Sequence, residues 1–145
     1  MGVLSLVGNR ATESLTQVIA FTNERVKVLA DDVANIDTPG YRMRDLDVER
    51  FNKTLSRAIA QSSRQNPNSS SIGLPSIDDL DTNLGSSNNP NAADLRGIVF
   101  HDDNDRSIEK LMVQVTKNAG RHAQAATLLR KQVELLQLVI SENVR

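Results

Sequence analysis

The sequence predicts a mainly α protein in which two long heptad helices, one in each half of the chain, pack as a coiled-coil-like pair. Three observations lead there. Mostly apolar residues recur at steps of three and four over residues 11 to 36, alternating after the first step, and without a break over 108 to 140, the spacing that holds a stripe on one helix face. Aromatic residues are only 3% of the 145, with no Trp, one Tyr and three Phe, so any core has to be built from Leu, Ile, Val, Met and Ala. Between the two patterns, residues 62 to 97 are dominated by Ser, Asn, Asp, Pro and Gly.

Taken in order, residues 1 to 9 read as a flexible N-terminus, and residues 10 to 61 as a helix, a Pro-Gly turn and a short helix. The first stripe runs Ala11, Leu15, Ile19, Thr22, Val26, Leu29, Val33 and Ile36, with Thr22 its one polar member. Asn23, Glu24, Lys27 and Asp31 fall on the opposite face, which belongs in water. Such a helix is about 38 Å long. Asn35 stands where it should stop, since Asn tolerates the left-handed conformation that ends helices. Thr38 is pushed to extended geometry by the proline that follows it. Pro39-Gly40 suits a type II turn, with proline setting the first dihedral and glycine taking the positive one. The turn chemistry accounts for Pro39 and Gly40; it leaves Ala34, Asn35 and Tyr41 without a reason to accompany them.

Residues 45 to 61 read as a shorter helix, with Val48, Phe51, Leu55 and Ile59 on one stripe and Asp45 or Asp47 as the N-cap. The segment 62 to 97 buries too little apolar surface to offset an ordering cost of about 1–2 kcal/mol per residue, and is expected to be largely disordered. GIVFHD, residues 97 to 102, allows one short strand. Residues 98 to 145 then carry the longest pattern: Ile108, Met112, Val115, Ala119, His122, Ala126, Leu129, Val133, Leu136 and Ile140. Ser107 or Asp105 is the expected N-cap, and a helix over 107 to 142 runs roughly 50 Å. Leu111, Leu128, Leu135 and Leu138 lie beside this stripe, so one partner helix leaves part of the apolar arc uncovered. A chain so arranged belongs in an assembly. Whether the two long helices pair parallel or antiparallel is open at this stage.

Several function classes fall away. Seventeen basic and eighteen acidic residues are mixed along the chain, with no Lys/Arg run, so no nucleic-acid footprint exists. Cysteine is absent, which removes disulfides and thiolate metal sites. The first ten residues lack the basic region of a cleavable secretory signal, and no apolar run is long enough to span a bilayer. DDNDRSIE, residues 102 to 109, resembles a calcium loop, but the positions requiring Gly and an acid hold Ile108 and Gln114. His122 has one other histidine, His101, for company, and a polar seam residue that fixes helix register accounts for it better than a metal ligand or pH switch. No Gly-x-Ser-x-Gly or phosphate loop appears. The expectation is a protein that is no enzyme and has no cofactor, metal or catalytic residue.

The remaining motif points elsewhere. LADDVANIDTPGYRMRDLD, residues 29 to 47, closely resembles the N-terminal segment of the flagellar axial proteins, the rod, hook and hook-associated subunits. The shared feature is a heptad helix ending in an Ala-Asn-x-x-Thr-Pro-Gly-Tyr-like stretch, here Ala34, Asn35, Thr38, Pro39, Gly40 and Tyr41. The small size, the continuation through Arg42, Arg44, Asp45, Leu46 and Asp47, and the ending LLRKQVELLQLVISENVR look most like proximal-rod subunits of the FlgB type. His122 departs from the pattern by replacing a usual Tyr. The resemblance covers residues 10 to 60 and 97 to 145. It implies a structural subunit of the basal-body rod, exported by the flagellar type III apparatus without a cleaved signal. Its partners would be other rod subunits, further copies of itself and the proteins joining rod to membrane ring. Leu15, Ile19, Val26, Leu29, Val33, Ile36, Met112, Val115, His122, Leu129, Val133, Leu136 and Ile140 are the expected assembly seam. Tyr41, Arg42, Arg44 and Asp45 are expected to face adjacent subunits. A soluble helical adaptor or flagellar export chaperone is the alternative.

Overall fold

The structure, a computed structural model, describes residues 2–65 and 108–143. It is mainly α, with three helices among the described residues: α1 (Gly2–Ala34), α2 (Val48–Gln65) and α3 (Ile108–Asn143). The GIVFHD segment, the predicted caps at Asp105 and Ser107, and residues 66 to 97 of the predicted insert lie outside the described residues. Residues 62 to 65, expected to open that insert, instead close α2.

α1 begins at Gly2, so residues 2–9 of the segment expected to be a flexible N-terminus are helical. Adding residues to an established helix fixes one residue per hydrogen bond gained, so a nucleated α1 extends through Leu4, Leu6 and Val7 with little opposition. It ends at Ala34 for local reasons. The Asn35 amide still donates to the Asp31 carbonyl at 3.1 Å, and the Asn35 side chain donates to that same oxygen at 2.8 Å. Two turns follow: the Thr38 amide donates to the Asn35 carbonyl at 2.9 Å, and the Tyr41 amide to the Thr38 carbonyl at 3.1 Å. In the second, Pro39 and Gly40 are the central residues and Gly40 has φ +74°, as a type II turn requires. α2 starts at a cap on Asp47, whose carboxylate accepts the Arg50 amide at 2.8 Å.

α1 and α3 pack antiparallel. Moving up α1 from Thr22 through Arg25 to Leu29, the partners on α3 run downward: His122 and Asn118, then Gln114, then Leu111. α1 makes most of its helix–helix packing with α3. α2 runs back along a second side of α1, with Phe21 stacked on Phe51 at 4.1 Å between ring centroids and Arg10 reaching the Ser62 carbonyl at 3.2 Å. Two apolar clusters result. Phe21, Leu46, Val48 and Phe51 form one, joined by Val18, Val28 and Leu55. Leu29, Met43 and Leu111 form the other, joined by Val33, Ile36 and Val115. Burying a side chain such as Leu29 or Leu111 contributes about 1.5–3 kcal/mol.

The buried stripes coincide only in part with those the periodicity picked. On α1, Leu29 is buried, Leu15, Ile19 and Val33 are half-buried, as is Ile36 in the turn beyond it, and Val26 is exposed while its neighbour Arg25 is buried. The reason is that α1 serves two partners. A single-seam reading centres the stripe on one face, whereas α3 on one side and α2 with residues 41–47 on the other rotate the buried arc toward Phe21, Arg25 and Asp32. On α3, Val115, His122, Leu129 and Leu136 are half-buried as expected, but their companions are Leu111, Asn118, Ala125 and Gln132. Met112, Ala119, Val133 and Ile140 stand exposed in the single chain. The helix therefore turns a mixed polar and apolar stripe onto α1 and leaves a more apolar one outside.

Candidate functional site

The residues of the predicted motif converge on the last turn of α1. Asp31 and Asp32 sit where the helix dipole is already negative, and α1 has no basic residue in that turn to offset them. The segment after the turn supplies the donors. Tyr41 donates its hydroxyl to Asp32 Oδ1 at 2.8 Å and reaches Asp31 Oδ2 at 3.2 Å. The Arg44 amide donates to both oxygens of Asp32 at 3.2 Å, and its guanidinium pairs with Asp31 at 2.6 Å. This explains what turn chemistry alone left open. Asn35 closes the helix on Asp31, Pro39-Gly40 reverses the chain, and Tyr41 returns to the carboxylates that the helix end presents. Ala34 is the exposed last residue of α1, and Thr38 holds the turn through its carbonyl.

Burial pushes the Asp32 carboxyl up to about 6, against the hydroxyl of Tyr41 and the amide of Arg44, which favour its charged form. Burial, and then the hydrogen bond to Asp32, hold the Tyr41 phenol well above its ordinary value.

A second polar group lies deeper. Arg25 forms a two-point ion pair with Asp45, Nε to Oδ1 at 2.7 Å and Nη2 to Oδ2 at 2.5 Å, with the side chains 3% and 0% exposed. Nη2 also donates to Gln114 Oε1 of α3 at 2.9 Å. One helical turn further along, Asn118 donates to the Thr22 carbonyl at 2.9 Å, and its buried Oδ1 has no partner among the described residues. His122 Nδ1 lies 3.1 Å from the Thr22 hydroxyl. That hydroxyl gives its one proton to the Ile19 carbonyl at 2.9 Å, so the imidazole is the donor in the His122–Thr22 bond. The two polar entries of the predicted stripes thus meet each other across the helix pair, as a register-fixing contact would.

Two sequence expectations change here. Asp45 does not face a neighbour; it is consumed by Arg25, and Asp47 rather than Asp45 caps α2. Tyr41 and Arg44 are likewise engaged within the chain, and of the four residues expected to project outward, Arg42 is exposed with no ion pair among the described residues. The reason is shared: the chain reversal at Gly40 brings Asp45 to Arg25, Arg44 to Asp31, and the neutral Tyr41 hydroxyl to the carboxylates of Asp31 and Asp32. Arg25, Asp32, Gln114 and Asn118 escaped the sequence reading. The signal for the first two was present, because both fall at helical spacing with Phe21, Thr22 and Leu29, and a charge on a buried stripe demands a partner.

Among the described residues no group of His, Asp and Glu side chains is placed to hold a metal ion. No described helix is long and apolar enough to cross a membrane. A groove of about 330 Å³ lies between the helices, with Leu15, Val18 and Phe21 of α1 as its floor, Phe51 and Asn52 of α2 as one wall, and Arg121, Ala125 and Leu128 of α3 as the other. Compared with protein-family models, curated proteins and solved structures, the chain matches none.

Proposed function

We propose that the chain is a non-enzymatic structural subunit of the bacterial flagellar basal-body rod, of the proximal-rod type, that polymerises through its long helices and carries torque from the membrane ring to the distal rod and hook. The observation that carries the reading is the surplus apolar surface of α3. Leu135, Leu138 and Ile140 are 58%, 62% and 64% exposed, and Leu128, Met112 and Val133 add to the same helix. A chain that buries a partly polar stripe within itself and leaves the leucines outside has kept its more adhesive face for neighbours. The resemblance of residues 29 to 47 to the axial-protein segment gives those neighbours a class: other rod subunits, the ring–rod junction and further copies of this chain. In this reading the type III apparatus exports it, and heterologous head-to-tail contacts extend a helical tube.

Arg44 has a different part in this account from the one its sequence position suggested. Its side chain pairs with Asp31 at the surface, both about half exposed, so reversing its charge sets a like charge against Asp31 within the subunit as well as changing what a neighbour meets.

A second reading, a soluble helical adaptor or flagellar export chaperone, draws on the groove between α2 and α3, which is wide enough to receive apolar side chains of a partner helix. The two separate in cells. Electron cryo-tomography of a strain lacking this gene is expected to show a membrane ring without a rod. The wild-type gene is expected to restore the rod, and a gene lacking Thr38 to Tyr41 is not. A complete rod and hook in the deletion strain would sink the structural reading and bring the adaptor forward.

A further inference from the structure

We propose that the buried Arg25–Asp45 pair is a gate on helix pairing: α3 docks on α1 only after residues 41–47 have folded back and neutralised Arg25. The inference does not depend on the flagellar reading. It rests on where the guanidinium sits. Arg25 is on the face of α1 that α3 covers, and its Nη2 group bonds both Asp45, from the connecting segment, and Gln114, from α3. Three parts of the chain therefore meet on one cation that water does not reach.

Remove Asp45 from this arrangement and, among the described residues, what α3 offers the guanidinium is the neutral amide oxygen of Gln114. Packing α3 over Arg25 would then strip the hydration from a charge and return a single neutral hydrogen bond, which is strongly unfavourable. The same segment also supplies the apolar surface on which α3 lands. Met43, two residues before Asp45, packs with Leu29 and Leu111, and Leu111 is the most deeply buried residue of α3. Leu46, one residue after Asp45, completes the Phe21–Phe51 cluster on the other side. Charge neutralisation and apolar complementarity thus arrive on α1 together, carried by seven residues.

Separation along the chain gives the order. Asp45 is 20 residues from Arg25, whereas Gln114 is 89 away. The nearer contact closes the smaller loop and loses less chain entropy in doing so. The helix-turn unit forms first, and a finished surface for α3 exists only afterward.

Hydrogen exchange of the full-length chain, read over peptides from 41–48 and from 111–125, tests the gate in wild type, Asp45→Asn, Arg25→Met and the double variant. In Asp45→Asn, which keeps the shape and the acceptor for the Leu46 amide, residues 111–125 are expected to exchange about a hundredfold faster, the scale of an uncompensated buried charge. Arg25→Met leaves the Asp45 carboxylate buried without the guanidinium that balances its charge, and is expected to lose protection too. The double variant removes both charges, and its 111–125 region is expected to return to within about tenfold of wild type, since replacing a buried pair by apolar groups is close to neutral. Faster exchange confined to 41–48, with 111–125 as in wild type, would overturn the gate. So would a double variant no better protected than Asp45→Asn, or a wild-type chain that shows no protection over 111–125.

Discussion

Asp32 is a carboxylate held by its neighbours in a site that does not favour its charge. It accepts the Tyr41 hydroxyl and the Arg44 amide, yet burial outweighs both and raises its pKa to about 6 from an ordinary 3.8. The consequence for stability has a definite sign. The folded chain holds this proton up to about pH 6, while the unfolded chain releases it near pH 4. The stability that Asp32 contributes by staying protonated is therefore complete below pH 4 and is lost as pH rises through about 6. Carboxylates in favourable ion pairs do the opposite. Comparing wild type with Asp32→Asn isolates this group: the difference between their urea midpoints, wild type minus variant, is expected to fall between pH 4 and 6 and level off above. Parallel pH profiles would show that Asp32 titrates as an ordinary carboxylate. Tyr41→Phe removes a donor that serves the charged form best. It is expected to lower stability by about 0.5–1.5 kcal/mol at pH 7, and by less at pH 4.

At the scale of elements, the turn at Pro39-Gly40 decides whether Tyr41 and Arg44 reach Asp31 and Asp32 at all. Gly40 has φ +74°, and a Cβ built there meets nothing within 4 Å. A side chain at this position therefore costs backbone strain and nothing else. Gly40→Ala is expected to lower stability by about 1–2 kcal/mol. Gly40→Asn is expected to recover part of that, because Asn tolerates the left-handed region. Thermal unfolding of both variants measures the ranking, and an alanine variant as stable as wild type would mean that the turn relaxes to another type.

This element was legible because Pro-Gly encodes its geometry locally, and the three helices were legible because their periodicities are long. What the periodicity could not give is which stripe goes inward. Val26 and Arg25 are neighbours in the chain, and a rule that counts apolar residues chooses Val26. The structure buries Arg25 because Asp45 arrives from another element to meet it. Likewise Asn118 displaces the apolar stripe through Ala119 because the Thr22 carbonyl is there to be bonded. Such choices are made by pairs distant in sequence, and no local pattern contains them. His122 was readable as a polar member of the heptad stripe, but its partner Thr22 was identifiable only once the helices were known to run antiparallel.

For the whole molecule, the proposed rod function assigns stability to the partly polar inner stripe and assembly to the apolar outer one, and that division can be measured. Leu111 is fully buried, and Leu111→Ala is expected to cost about 2–5 kcal/mol of stability, the usual range for truncating a core leucine. Leu135 and Leu138 are more than half exposed in the single chain. Replacing both by Ser removes apolar surface that the folded chain hardly uses, so urea unfolding of the purified double variant is expected to stay within about 0.5 kcal/mol of wild type. In cells the ranking reverses in kind. If the chain is the proposed rod subunit, a variant that keeps its fold but loses these two outer leucines offers its neighbours a weaker apolar face, and tomograms of the Leu135→Ser, Leu138→Ser strain are expected to show rings without rods, or rods that stop short. Full-length rods and normal swimming in that strain would mean that the outer leucines are not an assembly surface. In that case the groove over Leu15, Phe51 and Leu128 becomes the surface to test, with Leu128→Ser as its probe.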